Sequence, residues 1–203
     1  MRHYAKLLRA TLTASLMLVA VAMAGAAVAG PLENGVAAYN RGDYATALRL
    51  LRPLADQGNA DAQDMLAVMY TVGQGVPQDR AEAIKLYRLA AEQGNAHAQD
   101  YLGFVYLDGV EVQQDYAEAA KWYRKAAEQG NIDAQFNLGE MYEQGTRVPQ
   151  DYVLAYMWFS LVAAPGERLY ASESRDRVAK HMTPEQIAEA QKLAREWKPK
   201  SER

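Results

Sequence analysis

The sequence predicts an all-α protein, a solenoid of antiparallel helix hairpins. The first observation is a segment of 36 residues that starts at Gly58, returns at Gly94 with 22 of 36 positions identical, and begins again at Gly130. The second is that apolar residues in both halves of each copy recur with the helical period. The third is that capping residues stand at the ends of the expected helices. A fixed period of this length is typical of stacked units that cannot bury their apolar faces alone.

The N-terminal segment, residues 1–29, has the features of a secretory signal peptide. Arg2, Lys6 and Arg9 precede a long apolar run, and Ala27-Val28-Ala29 has the form of a cleavage site. We expect cleavage there, with retention as a membrane anchor as the alternative. Cleavage changes the formal net charge from −3 to −6, because it removes three basic residues and no acidic ones. Such an acidic chain is a poor candidate for binding nucleic acid or an anionic membrane.

The next segment, residues 30–57, predicts a short hairpin that caps the N-terminal end of the array. Tyr39 precedes Asp43 by four residues, whereas Tyr70 precedes Asp79 by nine. The long loop of the later copies is therefore missing here.

Residues 58–93, 94–129 and 130–165 form three repeats, and each predicts a pair of helices. In the first copy, one helix face carries Ala62, Leu66, Ala67 and Tyr70, and the second helix carries Ala83, Leu86, Tyr87, Ala90 and Ala91. Spacings of three and four residues place each group on one side of a helix. An aspartate precedes each second helix, where it can cap the free amides: Asp79, Asp115 and Asp151. The Gly-Asn pair between copies suits a left-handed helix end.

Aromatic and small residues in the repeats are predicted to be core. Trp122, Trp158, Tyr87 and Tyr123 recur at core spacing. The small residues Ala67, Gly103 and Gly139 fit where the two helices of a hairpin cross closely.

The C-terminal residues 166–198 predict helices that cap the array, followed by a frayed tail at 199–203. The second helix of the third repeat, from Tyr152, is apolar nearly all round, so it must be covered on more than one side. The last helix has a marked start, with Thr183 as N-cap, Pro184 in the first turn and Gln186 three residues after the threonine.

The repeat pattern is A-x-x-x-L-[AG]-x-x-Y, then G-x-x-V-x-Q-D, then A-x-x-[LW]-[YF]-x-x-A-A. Over residues 32–164 it resembles the Sel1-like repeat, a relative of the tetratricopeptide repeat with a longer loop. The family's second loop glycine is present as Gly75 but replaced by Glu111 and Arg147, so we expect those two loops to bend differently. The ending 182–197 looks like the C-terminal cap of bacterial members, which favours an exported bacterial chain.

No catalytic, cofactor or metal site is predicted. The mature chain has no Cys and two histidines, and its carboxylates are scattered along polar faces. His97 stands where the other copies have Asp61 and Asp133, which indicates a solvated surface position. His181 lies in a last helical turn, where an imidazolium would interact favourably with the helix dipole. No metal-ligand spacing, phosphate-binding loop or nucleophile motif is present.

The resemblance implies a concave groove lined by the first helix of each pair, able to bind a peptide or a partner protein. The side chains between the core positions of these helices are the candidate site. They are Asp61, Asp64, Val68, Thr71, His97, Asp100, Phe104, Leu107, Asp133, Phe136, Glu140 and Glu143. The set is acidic with some apolar residues, which favours a basic or amphipathic partner.

The leading interpretation is a non-enzymatic adaptor or scaffold of the bacterial cell envelope, periplasmic or secreted. One alternative is a cell-wall-related hydrolase or ligand-binding protein, which some cysteine-rich members of the family suggest. Another is a membrane-anchored subunit of an envelope complex, if the N-terminal segment is retained.

Overall fold

The computed structural model of the protein describes residues 30–145, 148–163 and 169–200. Within these ranges the chain forms ten α-helices and no strand, which confirms the predicted fold class. The helices are α1 (Pro31–Asn40), α2 (Tyr44–Asp56), α3 (Ala60–Val72), α4 (Arg80–Glu92), α5 (Ala96–Asp108), α6 (Tyr116–Glu128), α7 (Ile132–Gln144), α8 (Tyr152–Val162), α9 (Leu169–Ala179) and α10 (Pro184–Glu196). The predicted signal peptide and the position of Arg147 lie outside the described residues.

The first eight helices form four hairpins that stack in chain order. Within the hairpins α1 packs on α2, α3 on α4, α5 on α6 and α7 on α8. Between hairpins, the second helix of one packs on the first helix of the next. Each hairpin therefore covers its apolar surface with its neighbours, as expected for a repeat array.

Side-chain caps explain where the helices begin and end. The side chains of Asp79, Asp115 and Asp151 accept hydrogen bonds from amides in the first turns of α4, α6 and α8, as predicted. Gly94 has a φ of +99°, a left-handed conformation that ends one repeat and starts the next. The following Asn95 caps α5 by accepting a bond from the Ala98 amide, a role that the sequence analysis had not assigned.

The crossing of the two helices in a hairpin is fixed by a small residue against a large one. A Cβ atom on Gly103 would lie 2.6 Å from Tyr123 Cδ1, and one on Gly139 would lie 2.7 Å from Phe159 Cε1. The predicted close approach at these glycines is therefore confirmed, since any larger residue would displace a buried ring.

The first hairpin packs like the later ones, but its equivalent positions differ by one residue from those that the sequence comparison assigned. The Asp43 amide donates to the Ala38 carbonyl, as the Asp79 amide donates to the Tyr70 carbonyl. Ala38, and not Tyr39, thus corresponds to Tyr70. The sequence comparison was misled because a tyrosine stands next to the equivalent position.

Two sets of hydrogen bonds repeat along the stack and join neighbouring hairpins. Arginines of α2, α4 and α6 donate to tyrosine hydroxyls of the next first helix: Arg52 to Tyr70, Arg88 to Tyr106 and Arg124 to Tyr142. Buried glutamines donate to carbonyls of the preceding helix: Gln63 to Ala55, Gln99 to Ala91 and Gln135 to Ala127. These bonds satisfy polar groups inside the stack, which would otherwise be costly to bury.

The C-terminal helices cover the apolar α8. Both α9 and α10 pack on α8, and the ring centroids of Trp158 and Trp197 lie 6.2 Å apart. The start of α10 is a capping box formed by Thr183 and Gln186, as predicted. Beyond α10, Lys200 forms an ion pair with Glu128 of α6.

Candidate protein-binding face

The first helices of the four hairpins, α1, α3, α5 and α7, form a surface that we call the first-helix face. Their neighbouring positions in the stack follow from side-chain bonds between α3 and α5 and between α5 and α7. None of these four helices contains a Lys or Arg. Their acidic residues are Glu33, Asp61, Asp64, Asp100, Asp108, Asp133, Glu140 and Glu143.

Among the eight hairpin helices, Lys and Arg occur only on second helices. α2, α4 and α6 carry exposed Arg49, Arg52, Arg80, Lys85, Arg88, Lys121, Arg124 and Lys125. The fold therefore separates the net charges of each repeat: the first helices hold carboxylates without Lys or Arg, whereas on each of α2, α4 and α6 the cations outnumber the carboxylates by one. Such separation creates a negative potential over the first-helix face.

The twelve predicted groove residues all lie on first helices but differ in exposure. Asp61, His97, Phe104 and Asp133 are exposed, and Phe104 is the most prominent apolar one at 51% exposure. Asp64 is the most buried of the set, at 8% exposure, and lines the α1–α3 cavity. The remaining seven are half-buried: Val68, Thr71, Asp100, Leu107, Phe136, Glu140 and Glu143.

Asp64 is buried because it lies at the seam between α3 and α5, where it pairs with His97. The distance from His97 Nδ1 to Asp64 Oδ1 is 2.7 Å. This bond raises the pKa of the His97 imidazole above its usual value of 6.5. The charged imidazole contributes its full stabilisation at pH values below 6.5. This contribution is lost as the pH rises through the raised pKa of His97. His97 is thus exposed, as predicted, and also bonds Asp64, a partner that the sequence analysis had not assigned.

Asp100 occupies the equivalent position at the seam between α5 and α7. Its Oδ1 accepts a bond of 3.4 Å from Asn137 Nδ2, a weaker partner than a histidine. Burial, and then the nearby Asp133 charge, raise the pKa of the Asp100 carboxyl to about 6. Burial, followed by the Glu143 charge, also raises the pKa of Glu140 on α7. The acidic character of the face therefore depends on pH.

At the C-terminal end of the face, α9 fills the place of a further first helix. Arg177 donates to both carboxylate oxygens of Glu143, at 2.6 and 2.7 Å. Tyr170 meets Phe136 edge-on, with ring centroids 4.7 Å apart. Phe136 and Glu143, predicted to face a partner, instead contact α9 of the same chain.

Two cavities open between neighbouring first helices. The α1–α3 cavity has a volume of about 480 Å³, with Leu32, Val36 and Met65 among its apolar residues and Asp61 among its acidic ones. The α3–α5 cavity has a volume of about 350 Å³, and Phe104 is part of its wall. Both cavities combine apolar walls with carboxylates, a combination that suits amphipathic segments.

Sequence reasoning missed the contribution of α1 to this face. Leu32, Glu33 and Val36 line the α1–α3 cavity but were assigned only to a capping hairpin. The signal that reveals them is Gly35, which contacts Leu51 as Gly103 contacts Tyr123 and so sets the register of α1.

Other candidate positions have structural roles or give no site. The His181 ring stacks on the Tyr152 ring, with ring centroids 5.2 Å apart. The sequence analysis had placed His181 at a helix end without this contact. Among the described residues, no group of three or more His, Asp and Glu side chains is placed to hold a metal ion. None of the helices in the described ranges is both long and apolar enough to cross a membrane.

Comparison with known proteins places the chain in a family. The family model described as "Sel1 repeat" matches residues 21–59, 60–95, 96–131 and 132–164. The crystal structure of a Sel1 repeat protein from Oxalobacter formigenes is 38% identical, with a TM-score of 0.59, over 64% of this chain and 97% of that one. No curated protein matches the chain.

A second solved structure is a protective antigen of uropathogenic Escherichia coli strains that displays an SLR fold. It is 34% identical to this chain, with a TM-score of 0.55, over 75% of this chain. The match spans 40% of the length of that antigen. Sel1 repeat proteins are generally protein-interaction modules and typically serve as non-enzymatic scaffolds. The repeats, the hairpin stack and these matches together establish that the chain belongs to the Sel1 repeat family.

Proposed function

We propose that the first-helix face binds a basic or amphipathic segment of a partner protein, and that the chain is a non-enzymatic scaffold of the bacterial cell envelope. The observation that carries the proposal is the charge separation: four first helices with eight carboxylates and no Lys or Arg. A surface of one charge sign attracts oppositely charged partners and excludes others of its own sign.

Exposed apolar surface on the same face supports binding of an amphipathic segment. Phe104 is half exposed and stands among the carboxylates of α5. Aromatic residues with a polar surround are common centres of protein interfaces. The acidic groups would then guide the partner, while Phe104 supplies contact area.

The envelope location rests on the N-terminal segment, whose basic, apolar and small-residue regions follow the order of a signal peptide. Mass spectrometry of the N-terminus of the protein purified from cells, combined with cell fractionation, tests it. A start at Gly30 supports export with cleavage, whereas a retained segment in the membrane fraction supports the anchored form.

The test of the binding face is capture of partners from an envelope fraction by cross-linking and pull-down. Phe104→Asp adds a charge at the centre of the face, and we expect it to reduce capture about tenfold, as for an interface centre. Phe136 is unsuitable for this test because it packs on Phe159 and Tyr170.

The matched control is Leu89→Asp on α4, because Leu89 is 48% exposed but belongs to a second helix. It should retain capture, and both variants should keep the wild-type circular dichroism. Rising salt should weaken capture by the wild-type protein, since screening acts on exposed charges. Equal capture by Phe104→Asp and wild type would contradict the proposed face.

A further inference from the structure

The α3–α5 cavity has an aromatic wall that is held in place from the core. Tyr101 stacks on Tyr87 with ring centroids 4.0 Å apart, and Phe104 lies against Tyr101 with centroids 6.2 Å apart. Tyr87 is 2% exposed and belongs to the hydrophobic core. The wall is therefore fixed by core packing before any partner arrives, which lowers the entropic cost of binding there.

The rim of this cavity is polar and carries a net negative charge. Arg80 at the start of α4 pairs with Glu111 in the loop after α5, at 3.2 Å, so these two charges offset each other. Asp108, at the end of α5, adds one more carboxylate to the lining. A cationic group beside the cavity would therefore be favoured over an anionic one.

The aromatic wall belongs to the second repeat. The positions equivalent to Phe104 are Val68 and Glu140, and Tyr101 is replaced by Asn137 in the third repeat. The first repeat has Gly75 at the position of Glu111. The loop of the first repeat therefore has no carboxylate that could form the equivalent of the Arg80–Glu111 ion pair. The cavity is thus a local departure from a periodic surface, and it lies beside Phe104, the most exposed aromatic side chain among the described residues.

The size of the cavity limits what it can accept. Its volume of about 350 Å³ is at the lower end of the roughly 300–1,000 Å³ of small-molecule pockets. This suits one large side chain. An aromatic ring would meet Tyr101 and Phe104 in the tilted or stacked arrangements that such rings prefer.

We propose that the α3–α5 cavity receives one aromatic side chain of the partner segment, with a neighbouring Lys or Arg of that segment paired to Asp108. The inference rests on the proposed function, because it assigns the anchor point of the same face. It specifies the partner further: a basic segment needs an aromatic residue to bind tightly.

The experiment uses two labelled amphipathic helical peptides with the same Lys- and Arg-rich sequence, differing only by Trp or Ala at one central position. Fluorescence anisotropy measures the binding of each to the complete protein. We expect the Trp peptide to bind at least about tenfold more tightly, the effect of a well-buried interface anchor.

Variants of the cavity should remove this preference. Phe104→Ala takes away the exposed part of the wall, and Thr71→Met fills the cavity from α3. In both we expect the two peptides to bind within about twofold of each other, because the Trp loses its contacts. Leu89→Ala, on a second helix, should keep the preference. Asp108→Asn should weaken binding of the Trp peptide less than Phe104→Ala does, because it removes only one charge pair.

The outcomes separate the inference from the proposed function. Salt-sensitive binding of both peptides with equal affinity, or a Trp preference that survives Phe104→Ala, overturns the cavity assignment and leaves the acidic face in place. Absence of binding by both peptides overturns the cavity and counts against the basic-partner proposal as well.

Discussion

Residues at equivalent positions of the repeats make different contacts in this protein. Asp64, Asp100 and Phe136 stand at the same place in successive copies, yet the first pairs with His97, the second meets Asn137 and the third packs on Tyr170. Each lies at a seam between two first helices. The residue that faces it across the seam therefore decides which contact it makes.

The first prediction concerns Asp100, whose pKa of about 6 lies above its usual value of 3.8. Between these values the folded chain holds a proton that the unfolded chain releases, so the stability falls as the pH rises through this window. Asp100→Asn keeps an oxygen for Asn137 and removes the charge. We expect the variant to melt a few degrees above wild type at pH 7 and at nearly the same temperature at pH 4.

Thermal unfolding followed by circular dichroism at both pH values measures this effect. Asp133→Asn is the companion variant, because it removes the neighbouring charge that contributes to the raised pKa of Asp100. It should lower the midpoint of the Asp100 carboxyl in an NMR titration. An Asp100→Asn variant with the same advantage at both pH values would rule out the electrostatic explanation.

At the scale of helices, the connections within and between hairpins are fixed by side chains at repeated positions. The glutamine before each capping aspartate donates to a carbonyl at the end of the first helix: Gln78 to Thr71, Gln114 to Leu107 and Gln150 to Glu143. These bonds satisfy carbonyls that have no partner inside the helix. The long loop is thus pinned at both ends, which explains why the motif includes loop residues.

The second prediction concerns the arginine–tyrosine bonds between hairpins. Arg124 donates to the hydroxyl of Tyr142 at 2.6 Å, whereas Arg88 donates to Tyr106 at 3.3 Å. Tyr142→Phe should lower the free energy of unfolding by about 1 kcal/mol, the usual net value of such a bond. Tyr106→Phe is the matched control at the same repeat position, and its effect should be smaller.

Urea unfolding of the two variants provides the comparison. A larger loss for Tyr106→Phe would show that the length of the bond does not govern its contribution. Equal losses would indicate that the hydroxyl contributes through something other than this bond.

At the scale of the molecule, the two ends of the array are closed differently. At the N-terminal end of the described chain, α1 and α2 form the first hairpin. At the other end α8 is apolar nearly all round, and α9 and α10 cover it. Arg177 and Tyr170 of α9 meet the last first helix, so the acidic face is neutralised in part there. On α7, Glu143 is paired with Arg177, whereas Asp133 stays exposed and continues the acidic surface of α1, α3 and α5.

The third prediction is that α10 is required to keep α8 covered. A chain that ends at Met182 loses the contacts of Trp197 with Trp158 and of Gln191 with Tyr156. We expect a lower melting temperature and stronger binding of a hydrophobic dye, because apolar surface of α8 becomes exposed.

A point variant keeps this test informative if the shortened chain does not fold. Trp197→Ala should lower the melting temperature by several degrees, since a large aromatic contact is lost. Glu189→Ala, on an exposed position of the same helix, should leave it unchanged. Similar melting of both variants and wild type would argue against a covering role for α10.

The sequence by itself determined the hairpins, their caps and the charge of each helix layer. These features follow from spacings within 36 residues: Gly103 meets Tyr123 twenty positions on, and every Lys and Arg in the eight hairpin helices lies on a second helix. Local periodicity is enough to assign them, because each contact is repeated in every copy.

Only the tertiary structure decided which residues of the first-helix face remain accessible. Asp64 and His97 are 33 positions apart, and Glu143 and Arg177 are 34 apart, so their pairing depends on how far each hairpin is rotated against the next. That rotation results from the packing of whole helices and leaves no periodic mark in the sequence. For the same reason the α3–α5 cavity, formed where Phe104 interrupts the repeat pattern, is visible only once the hairpins are stacked.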